Sequence, residues 1–353
     1  MSTKILVTGG YGFIGSHFVR LLLRERPGVT VLNFDKLTYA GNPENLADIA
    51  GNPNYTAIVG DIADRTLVDR VFADGQPEVV VNFAAESHVD RSILDPEPFL
   101  RSNVHGVQVL LEAARRYGLR RYVQISTDEV YGDIPPGAPP ADEDAPLRPS
   151  SPYSASKAAA DLLCFAYTRT YRLPILVARS SNNYGSHQFP EKLIPLTIRN
   201  ALARQSLPVY GDGRQRRDWI YVEDNVQAIL RIIEGGDEGR TYNIATGEET
   251  ENISVVHLVC ELVARETGQP ADRLKALVRS VADRPGHDRR YAAHPRRIAQ
   301  ELDWRPQLNL ADGLERTIRW YLANSAWLER VVTGEYRRYY DMVYNRAWNE
   351  SLR

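Results

Sequence analysis

Cysteine is scarce in this sequence. Cys164 and Cys260 are the only two among 353 residues, and they lie far apart in the chain. Two such cysteines cannot build a disulfide framework or a CxxC metal site. We therefore predict that both are buried core residues and that the protein holds no metal ion.

A charge excess and a long apolar run are also missing. Lysine and arginine number 43 against 45 aspartates and glutamates, which gives a formal net charge of -2. No basic excess is available for nucleic acid or an anionic membrane. The apolar run at 5–7 ends at Gly9 and is too short for a signal peptide or a membrane span. We expect a cytoplasmic protein with neither nucleic acid nor membrane as a partner.

The composition is globular, with 43% hydrophobic and 25% charged residues. β-branched runs alternate with amphipathic stretches such as 13–24. Strands are predicted near 4–8, 29–34, 55–59, 78–83, 121–126 and 174–179. This alternation is typical of βαβ units, and it predicts an α/β fold built on a Rossmann-type, doubly wound parallel sheet.

The second half of the chain is less regular. The proline-rich segment 135–140 cannot form regular structure, because proline fixes φ and removes a donor, and we interpret it as a surface excursion. After about residue 180 the predicted elements become shorter. We predict a first domain at 1–180 with return segments near 215–245 and 310–325, and a smaller, discontinuous α/β lobe that makes up most of 181–353.

Glycines cluster between the first predicted strand and the first helix, in the segment Thr8-Gly9-Gly10-Tyr11-Gly12-Phe13-Ile14-Gly15. They permit a tight turn and the approach of a pyrophosphate to a helix N-terminus. Asp35 ends the second strand, where a carboxylate accepts hydrogen bonds from an adenosine ribose and repels a 2′-phosphate. The pattern favours NAD over NADP. An ordinary strand–helix turn and a loop-capping aspartate are the alternatives.

Two further strand ends extend this predicted groove. Asp61-Ile62 follows the third strand, and Phe83-Ala84-Ala85 follows the fourth. Ligands of open α/β sheets bind outside the carboxyl ends of the strands. We therefore predict that these four strand ends form one nucleotide groove.

Tyr153 and Lys157 lie four residues apart at the start of a predicted helix, so their side chains share one face. A nearby ammonium favours the phenolate, and an oxidised nicotinamide adds a second positive charge. This tyrosine could therefore serve as a base near neutral pH. A tyrosine and a lysine at this spacing also occur by chance, and the glycine segment upstream is what favours function.

The fifth strand ends in a hydroxyl and two carboxylates, Thr127-Asp128-Glu129. Oxidation of an alcohol needs only a hydroxyl and a base. Two more carboxylates indicate additional proton transfers, with one group giving a proton and the other taking one. The alternative is a solvated Asp-Glu pair that caps a loop.

Longer segments make a family resemblance specific. They are 84–92, 126–132, 153–157, 181–185, 188–195, 210–213, 217–219, 221–224 and 283–291. Over most of its length the chain resembles the extended short-chain dehydrogenase/reductase family and, within it, the dTDP-glucose 4,6-dehydratases. The triplet at 127–129 is the discriminating feature, because related epimerases and decarboxylases usually carry small hydroxyl residues at the positions of Asp128 and Glu129.

The resemblance implies an NAD-dependent hydro-lyase that converts dTDP-glucose to dTDP-4-keto-6-deoxyglucose. It implies that Tyr153 takes the proton of the sugar 4-hydroxyl, that Thr127 steers this hydroxyl, and that Lys157 holds the ribose. Glu129 would remove the C5 proton, and Asp128 would protonate the departing 6-hydroxyl. The cofactor-binding residues would be Gly9, Gly12, Phe13, Ile14, Gly15, Asp35, Lys36, Leu37, Thr38, Asp61, Ile62, Phe83, Ala84, Ala85, Ser102, Tyr153, Lys157 and Asn183.

A nucleoside-diphosphate sugar carries two phosphates, so its binding lobe needs cations and amide donors. By resemblance, the substrate-binding residues are Ser87, Thr127, Asn182, Lys192, Leu193, Pro208, Tyr210, Arg217, Asn252, Arg284 and His287. Each of them alone is better explained by a surface salt bridge or a loop cap. Their joint occurrence carries the prediction.

Two segments depart from the family pattern. Ser186-His187 replaces the usual Pro-Tyr, and the segment 246–251 replaces a loop richer in glycine and asparagine. We expect either change to affect contacts in the substrate lobe, and with them the choice of nucleotide base.

Other enzymes on the same scaffold are alternatives: a nucleotide-sugar 4-epimerase, a uronate decarboxylase and a GDP-mannose 4,6-dehydratase. The last group resembles this chain less well at 127–129, because it has Thr-Ser-Glu rather than Thr-Asp-Glu there. A non-catalytic NAD-binding regulator is the alternative from another class.

The helix after Pro152 is rich in small and apolar residues, more than one buried face requires. Such a helix is buried on two sides, by its own sheet and either by a partner subunit or by the second lobe. Together with the family resemblance, this composition suggests a homodimer.

Overall fold

The computed structural model describes residues 3–332, 336, 338 and 340–345, and the rest of the predicted segment 181–353 lies outside them. The strands are β1 Thr3–Thr8, β2 Val29–Asp35, β3 Tyr55–Val59, β4 Val79–Asn82, β5 Arg121–Thr127, β6 Ile175–Ser180, β7 Asn182–Tyr184, β8 Leu207–Tyr210, β9 Arg216–Tyr221, β10 Thr241–Ile244, β11 Glu249–Glu251 and β12 Val278–Val281. Each of the six predicted strands is confirmed, with bounds within one residue.

The α-helices are α1 Phe13–Glu25, α2 Arg65–Gly75, α3 Val89–Leu94, α4 Glu97–Phe99, α5 Val107–Tyr117, α6 Pro152–Tyr171, α7 Leu193–Leu202, α8 Val222–Gly235, α9 Asn252–Thr267, α10 Ala271–Lys275, α11 Arg296–Leu302, α12 Leu310–Ala323 and α13 Ser325–Val331. Short 3₁₀ segments lie at Pro43–Ile49 and Asp128–Tyr131, and π-helical segments lie at Leu100–Gly106 and Asp341–Asn345. Among the described residues, no helix is long and apolar enough to cross a membrane.

The main sheet has seven strands in the order β10-β6-β5-β4-β1-β2-β3. Every neighbouring pair is parallel. The order reverses direction at β1, as in doubly wound folds, so the crevice beside β1 and β4 is the expected ligand position. The predicted Rossmann-type parallel sheet is therefore confirmed.

Alternating strand residues supply two apolar layers. Val7 and Val81 pack on one face with α1 and α8, whereas Leu6 and Val80 pack on the other with α2, α5 and α6. Since successive side chains of a strand point to opposite faces, continuous apolar runs are what a sheet covered on both sides requires. Cys164 lies in the second of these layers and Cys260 in a separate core, and both are buried and free, as predicted.

A third apolar core is built mostly from α7, α9, α12 and α13. It is accompanied by two small sheets, β11-β9-β7 and β12-β8. The segment after β9 returns to the main sheet, where β10 pairs with β6. The segment 310–325 instead contributes Leu314, Ile318 and Tyr321 to the third core. The predicted boundary between two domains remains a prediction.

One face of α6 is not covered by the described residues. Leu162 is 57% exposed, and Ala155 and Ala166 are also exposed. Within the described residues, α6 packs mainly on β5, β6, α3, α4, α5 and the 100–106 and 128–131 segments. Burial of this face by a partner subunit or by the second lobe stays a prediction.

Candidate active site

A cleft runs along the carboxyl ends of the parallel strands. Eighteen of the predicted cofactor and substrate residues line it: Gly9, Gly12, Phe13, Ile14, Gly15, Asp35, Lys36, Thr38, Asp61, Ile62, Phe83, Ala84, Ala85, Ser87, Ser102, Tyr153, Lys157 and Lys192. They come from β1, β2, β3 and β4 and from helices that follow. The structure thus brings the predicted groove together in one place.

The glycine turn leaves space for a ligand, and side chains at these positions would fill that space. Gly9 has φ +70°, and a Cβ there would lie 2.6 Å from the Ala84 nitrogen. A Cβ at Gly15 would collide with the Gly9 carbonyl oxygen. In the described structure, α1 begins after Gly12 with no side-chain cap, so its first amides point at the cleft. A helix N-terminus of this kind binds a pyrophosphate, and the turn fits a dinucleotide.

Asp35 is held in place by the turn that it faces. Its Oδ2 accepts a hydrogen bond from the Tyr11 amide at 2.9 Å, and its Oδ1 accepts one from the Leu37 amide at 2.8 Å. Burial raises the pKa of this carboxyl, while the two backbone hydrogen bonds oppose the shift. Each oxygen keeps a second lone pair for a ribose hydroxyl.

Asp61 has different neighbours from Asp35. Burial would raise its pKa, but the Ala63 amide, Lys36 and Arg101 together lower it. Lys36 reaches it at 3.0 Å and Arg101 at 3.2 Å. This end of the cleft therefore holds an ionised aspartate between two cations.

Two predicted cofactor residues do not line the cleft in the described structure. Leu37 has φ +57° and a side chain that is 37% exposed. Asn183 lies in β7, where its amide nitrogen donates to the Ser181 carbonyl at 3.0 Å. Their part in cofactor binding stays a prediction.

The cleft also includes residues that the sequence analysis missed, among them Asn42, Asn45, Gln188 and Trp327. Trp327 Nε1 donates to Asn45 Oδ1 at 3.1 Å, although most of the chain separates the two residues in sequence. Neither residue stands in a local motif. Only the fold brings α13 to the 3₁₀ segment after β2, so no pattern in the sequence could have identified this wall.

The Thr-Asp-Glu triplet lies at the carboxyl end of β5, where the strand turns into a 3₁₀ segment. The Thr127 hydroxyl accepts from the Glu129 amide at 3.2 Å and so caps the turn. Asp128 is 2% exposed, and its Oδ2 has no hydrogen-bond partner among the described residues. Burial, followed by the charges of Glu129 and Asp218, raises its pKa well above the usual range. These surroundings favour the protonated form of the Asp128 carboxyl.

Tyr153 and Lys157 both lie on the buried face of α6, as the spacing predicts. The helix begins with a capping box in which Ser151 and Ser154 bond to each other's backbone. Lys157 Nζ donates to the Ile125 carbonyl at 2.6 Å. Burial lowers the pKa of this lysine to about 8.

The pKa of Tyr153 differs from the sequence-based expectation. It is raised rather than lowered, first by burial and next by the charge of Glu129, while Thr127 opposes the shift. The Lys157 ammonium is engaged by a backbone carbonyl, and the carboxyl groups of Glu129, Asp128 and Asp161 all act to raise the pKa of the phenol. Within the described chain, nothing compensates a phenolate fully, so a cation brought by a ligand is needed to make Tyr153 a base.

Cations of the substrate lobe converge on Glu129. Its charge acts on the pKa of Lys192, Arg217 and Arg284, and the Tyr291 hydroxyl lies 3.4 Å from its Oε2. Lys192 donates to the Ser87 carbonyl at 2.9 Å and so reaches back to the cleft. Tyr291 was not assigned a role from the sequence, although it ends one of the matching segments.

Of the arginines predicted to meet the diphosphate, Arg217 is buried and Arg284 is partly buried, and both are already oriented. Arg217 donates to the Asp288 carbonyl at 2.8 Å, and its guanidinium lies 4.1 Å from the Tyr291 ring centroid. Arg284 pairs with Asp90 at 3.3 Å. Since Arg217 uses carbonyl rather than carboxylate partners, its charge remains available to an anion.

Asp90 and His287 organise the predicted base-binding end. Tyr210 donates to Asp90 at 2.7 Å, and its ring meets the His287 ring edge-on at 5.8 Å. Burial, followed by the charges of Arg284 and Arg217, lowers the pKa of His287 to about 4. This imidazole is therefore neutral at physiological pH.

The remaining predicted substrate residues are spread along the second lobe. Asn182 lies in β7, Pro208 in β8, Leu193 at the start of α7 and Asn252 at the start of α9. The side-chain oxygens of Asn182 and Asn252 are buried with no hydrogen-bond partner among the described residues. Both are free to accept from a ligand.

Comparisons with known proteins agree with this geometry. A family model described as GDP-mannose 4,6 dehydratase matches residues 6–317. The dTDP-glucose 4,6-dehydratase of Shigella flexneri is 48% identical over 358 aligned residues, covering 97% of this chain and 99% of that protein. The Neisseria meningitidis serogroup B dTDP-glucose 4,6-dehydratase is 49% identical, covering 95% and 97%. The chain belongs to the dTDP-glucose 4,6-dehydratases of the extended short-chain dehydrogenase/reductase family.

A solved member of this dehydratase family has the same fold. The crystal structure of the Streptomyces venezuelae dTDP-glucose 4,6-dehydratase with NAD and TYD bound superposes with a TM-score of 0.87 at 44% identity. The match covers 93% of this chain and all of that one. The α/β fold predicted from the sequence is therefore that of a nucleotide-sugar dehydratase.

The first departure from the family pattern lies on the cofactor side of the cleft. His187 has φ +62°. Its ring centroid lies 4.3 Å from that of Trp320 and 5.6 Å from that of His17. The Ser186 carbonyl lies 3.0 Å from His17 Nε2. Burial lowers the pKa of both imidazoles, to about 4 for His17 and about 3 for His187. The segment thus contacts both the first helix and the third core, and its effect on substrate contacts stays a prediction.

Replacing Asp35 tests the adenosine end of the cleft. For Asp35→Ala we expect about tenfold weaker NAD binding, about 1.4 kcal/mol, and weaker discrimination against NADP, because the charge that repels a 2′-phosphate is gone. Calorimetric titration with both dinucleotides, after removal of copurified cofactor, measures this. The control is Asp64→Ala, which removes only the N-cap of α2. An unchanged ratio of the two affinities would contradict the assignment.

Proposed function

We propose that the protein is an NAD-dependent dTDP-glucose 4,6-dehydratase that forms dTDP-4-keto-6-deoxyglucose. The observation that carries the proposal is the pair of carboxyl groups at the end of β5, one buried and one partly exposed among cations, at the same sheet edge as Tyr153 and Lys157. A simple alcohol dehydrogenase or an epimerase has no use for a second acid and base at this position.

The acid and the base follow from their surroundings. Asp128 is buried and its pKa is raised, which suits it to protonate the departing 6-hydroxyl. Glu129 is partly exposed, and its charge acts on Lys192, Arg217 and Arg284. It is therefore suited to remove the C5 proton, which a C4 ketone has made acidic.

Tyr153 takes the proton of the sugar 4-hydroxyl, and Thr127 orients that hydroxyl. NAD, when bound, accepts hydride from C4 and later returns it to C6. The glycine turn, Asp35 and Lys157 would hold this cofactor, with the nicotinamide end near Tyr153. Because the phenolate is unfavourable in the chain alone, Tyr153 becomes an effective base only where positive charge is added beside it.

We propose that the diphosphate binds in the second lobe. The charge of Glu129, beside which the sugar would lie, acts on the pKa of Lys192 and Arg217, and Arg284 pairs with Asp90 at 3.3 Å. Tyr210 and the neutral His287 form an aromatic corner that suits a pyrimidine base. The partner is thus a nucleoside-diphosphate sugar, with thymine as the proposed base.

Product mass distinguishes this reaction from the alternatives on the same scaffold. The purified protein is incubated without added cofactor with dTDP-glucose, and separately with UDP-glucose and GDP-mannose. We expect the loss of one water from dTDP-glucose, with the other two unchanged. Loss of water from GDP-mannose alone would indicate a GDP-mannose 4,6-dehydratase. Unchanged mass in all three samples after addition of NAD would leave a 4-epimerase or a non-catalytic protein, which a test for an inverted 4-hydroxyl separates.

Glu129→Gln should separate oxidation from elimination. The variant keeps Tyr153 and Lys157, so it should still oxidise C4 and yield a 4-keto hexose two hydrogens lighter than the substrate after a rapid quench. It should form the dehydrated product about 100-fold more slowly or worse, because the C5 base is gone. The neighbouring Asp133→Asn, outside the proposed set, serves as the control. Loss of C4 oxidation in Glu129→Gln would show that the roles are wrongly assigned.

We also propose a homodimer built on α6. Ala155, Ala159, Leu162 and Ala166 recur at helical spacing on the uncovered face. Small residues flanking one leucine allow an identical helix to approach closely, and a twofold axis pairs such a face with itself.

Within one subunit, the two proposed lobes are the NAD-binding sheet and the nucleotide-sugar-binding third core. We propose a cytoplasmic location, in keeping with two unpaired cysteines.

The oligomeric state should depend on this face. Leu162→Asp buries a charge in the proposed interface and should convert the dimer to a monomer in sedimentation or light-scattering measurements at micromolar concentration. Val59→Asp is the matched control, because Val59 is 62% exposed on the edge strand β3. If both variants keep the wild-type mass, α6 is not the interface.

A further inference from the structure

A buried ion pair lies directly behind the cofactor cleft. Arg179 Nε and Asp161 Oδ2 are 2.9 Å apart, and their side chains are 1% and 0% exposed. Arg179 also donates to the Tyr131 hydroxyl at 2.8 Å and to the Glu143 carbonyl at 3.2 Å. Fixing two charges in a core is costly unless they serve each other or a third group.

The third group is Lys157. Asp161 follows it by one helical turn on the buried face of α6, so the two side chains are neighbours. The second carboxylate oxygen, Oδ1, has no hydrogen-bond partner among the described residues. A carboxylate that is anchored through one oxygen by Arg179 can direct the other oxygen's charge toward the ammonium.

We propose that Asp161, anchored by Arg179, is a positioning residue whose negative charge keeps the Lys157 ammonium charged at the floor of the cofactor cleft. The inference rests on the proposed function, in which this ammonium holds the cofactor beside Tyr153. Asp161 itself does not line the cleft in the described structure. It acts through Lys157, whose Nζ is already fixed on the Ile125 carbonyl.

The electrostatic surroundings support the direction of the effect. Burial lowers the pKa of Lys157 to about 8, and Asp161 and then Cys164 oppose this shift. Tyr153 lies on the same helix, and the charges of Glu129, Asp128 and also Asp161 act on its pKa. Tyr131 acts on the pKa of Arg179, and Glu143 acts on that of Tyr131.

Asp161 is the main group that favours the ammonium, ahead of Cys164. If its charge is removed, it no longer opposes the effect of burial, and the pKa of Lys157 should fall further below its usual value.

The number of lysines makes this directly measurable. The chain has five, Lys4, Lys36, Lys157, Lys192 and Lys275, so ¹³Cε-lysine labelling gives five NMR signals to titrate. The Lys157→Met variant identifies the Lys157 signal. Lys275, paired with Glu261 at 2.6 Å on the surface, is the internal control whose midpoint should stay fixed. The protein is titrated with NAD bound and again after its removal.

In Asp161→Asn we expect the Lys157 midpoint to fall by about one pH unit or more. The alkaline limb of the kcat profile should move down with it, since turnover is lost as pH rises through the pKa of Lys157. Arg179→Met removes the cation that opposes the raised pKa of Asp161, so the buried carboxyl should take up a proton and the Lys157 midpoint should fall as well. The double variant Asp161→Asn/Arg179→Met has no unpaired buried charge. It should regain stability over both single variants and keep the low midpoint.

A merely structural ion pair gives a different result. In that case the double variant would return the Lys157 midpoint to the wild-type value, and this would overturn the proposal, as would an unchanged midpoint in Asp161→Asn. The NMR titration needs no substrate. A wild type that forms no dehydrated product therefore contradicts the proposed function alone, whereas an active wild type with an unmoved Lys157 midpoint in Asp161→Asn contradicts the positioning role alone.

Discussion

The parallel register of the central sheet is the constraint on which the site depends. Thr8 pairs with Asn82, and Asn82 pairs with Gln124, so β1, β4 and β5 reach one edge together. The glycine turn, the 83–85 segment and the Thr-Asp-Glu triplet each begin within a few residues of that edge. Groups from distant parts of the sequence are therefore gathered by backbone hydrogen bonds, before any side chain contributes. A shift of one strand by two residues would move its functional group by about 6.6 Å, out of reach of the others.

Burial then gives different chemistry to similar groups. Asp128 and Glu129 are adjacent in sequence, but a 3₁₀ turn sends consecutive side chains in different directions. The first enters the protein and meets Asp218 and Arg217, whereas the second faces the cations of the substrate lobe. A pair of identical carboxylates in water would titrate together. The fold buries the first carboxyl and raises its pKa, and it leaves the second partly exposed, which gives an acid and a base in one reaction the different surroundings they require.

The sequence predicts the elements of this arrangement better than their mutual electrostatics. Strand bounds, the glycine turn and the spacing of Tyr153 and Lys157 follow from local pattern, because backbone geometry imposes periods of two and 3.6 residues. The raised pKa of Tyr153 does not follow, since it depends on Glu129 across a cleft. The wall made by Asn45 and Trp327 was also missed, as was the pairing of Asp161 with Arg179. Each joins residues whose distance in sequence gives no local signal.

The two departures from the family pattern lie in different surroundings. His187 packs on Trp320 and Trp327 and lines the cleft, while the Ser186 carbonyl lies 3.0 Å from His17 Nε2. The 246–251 loop is different, because its Thr246 and Gly247 amides donate to the Asp218 carboxylate at 3.0 and 2.7 Å. Asp218 adjoins Arg217 in β9, and after burial and Glu129 its charge is the next cause of the raised pKa of Asp128. A change in this loop reaches the proposed acid and the strand that carries Arg217, so we expect differences from other dehydratases to arise there first.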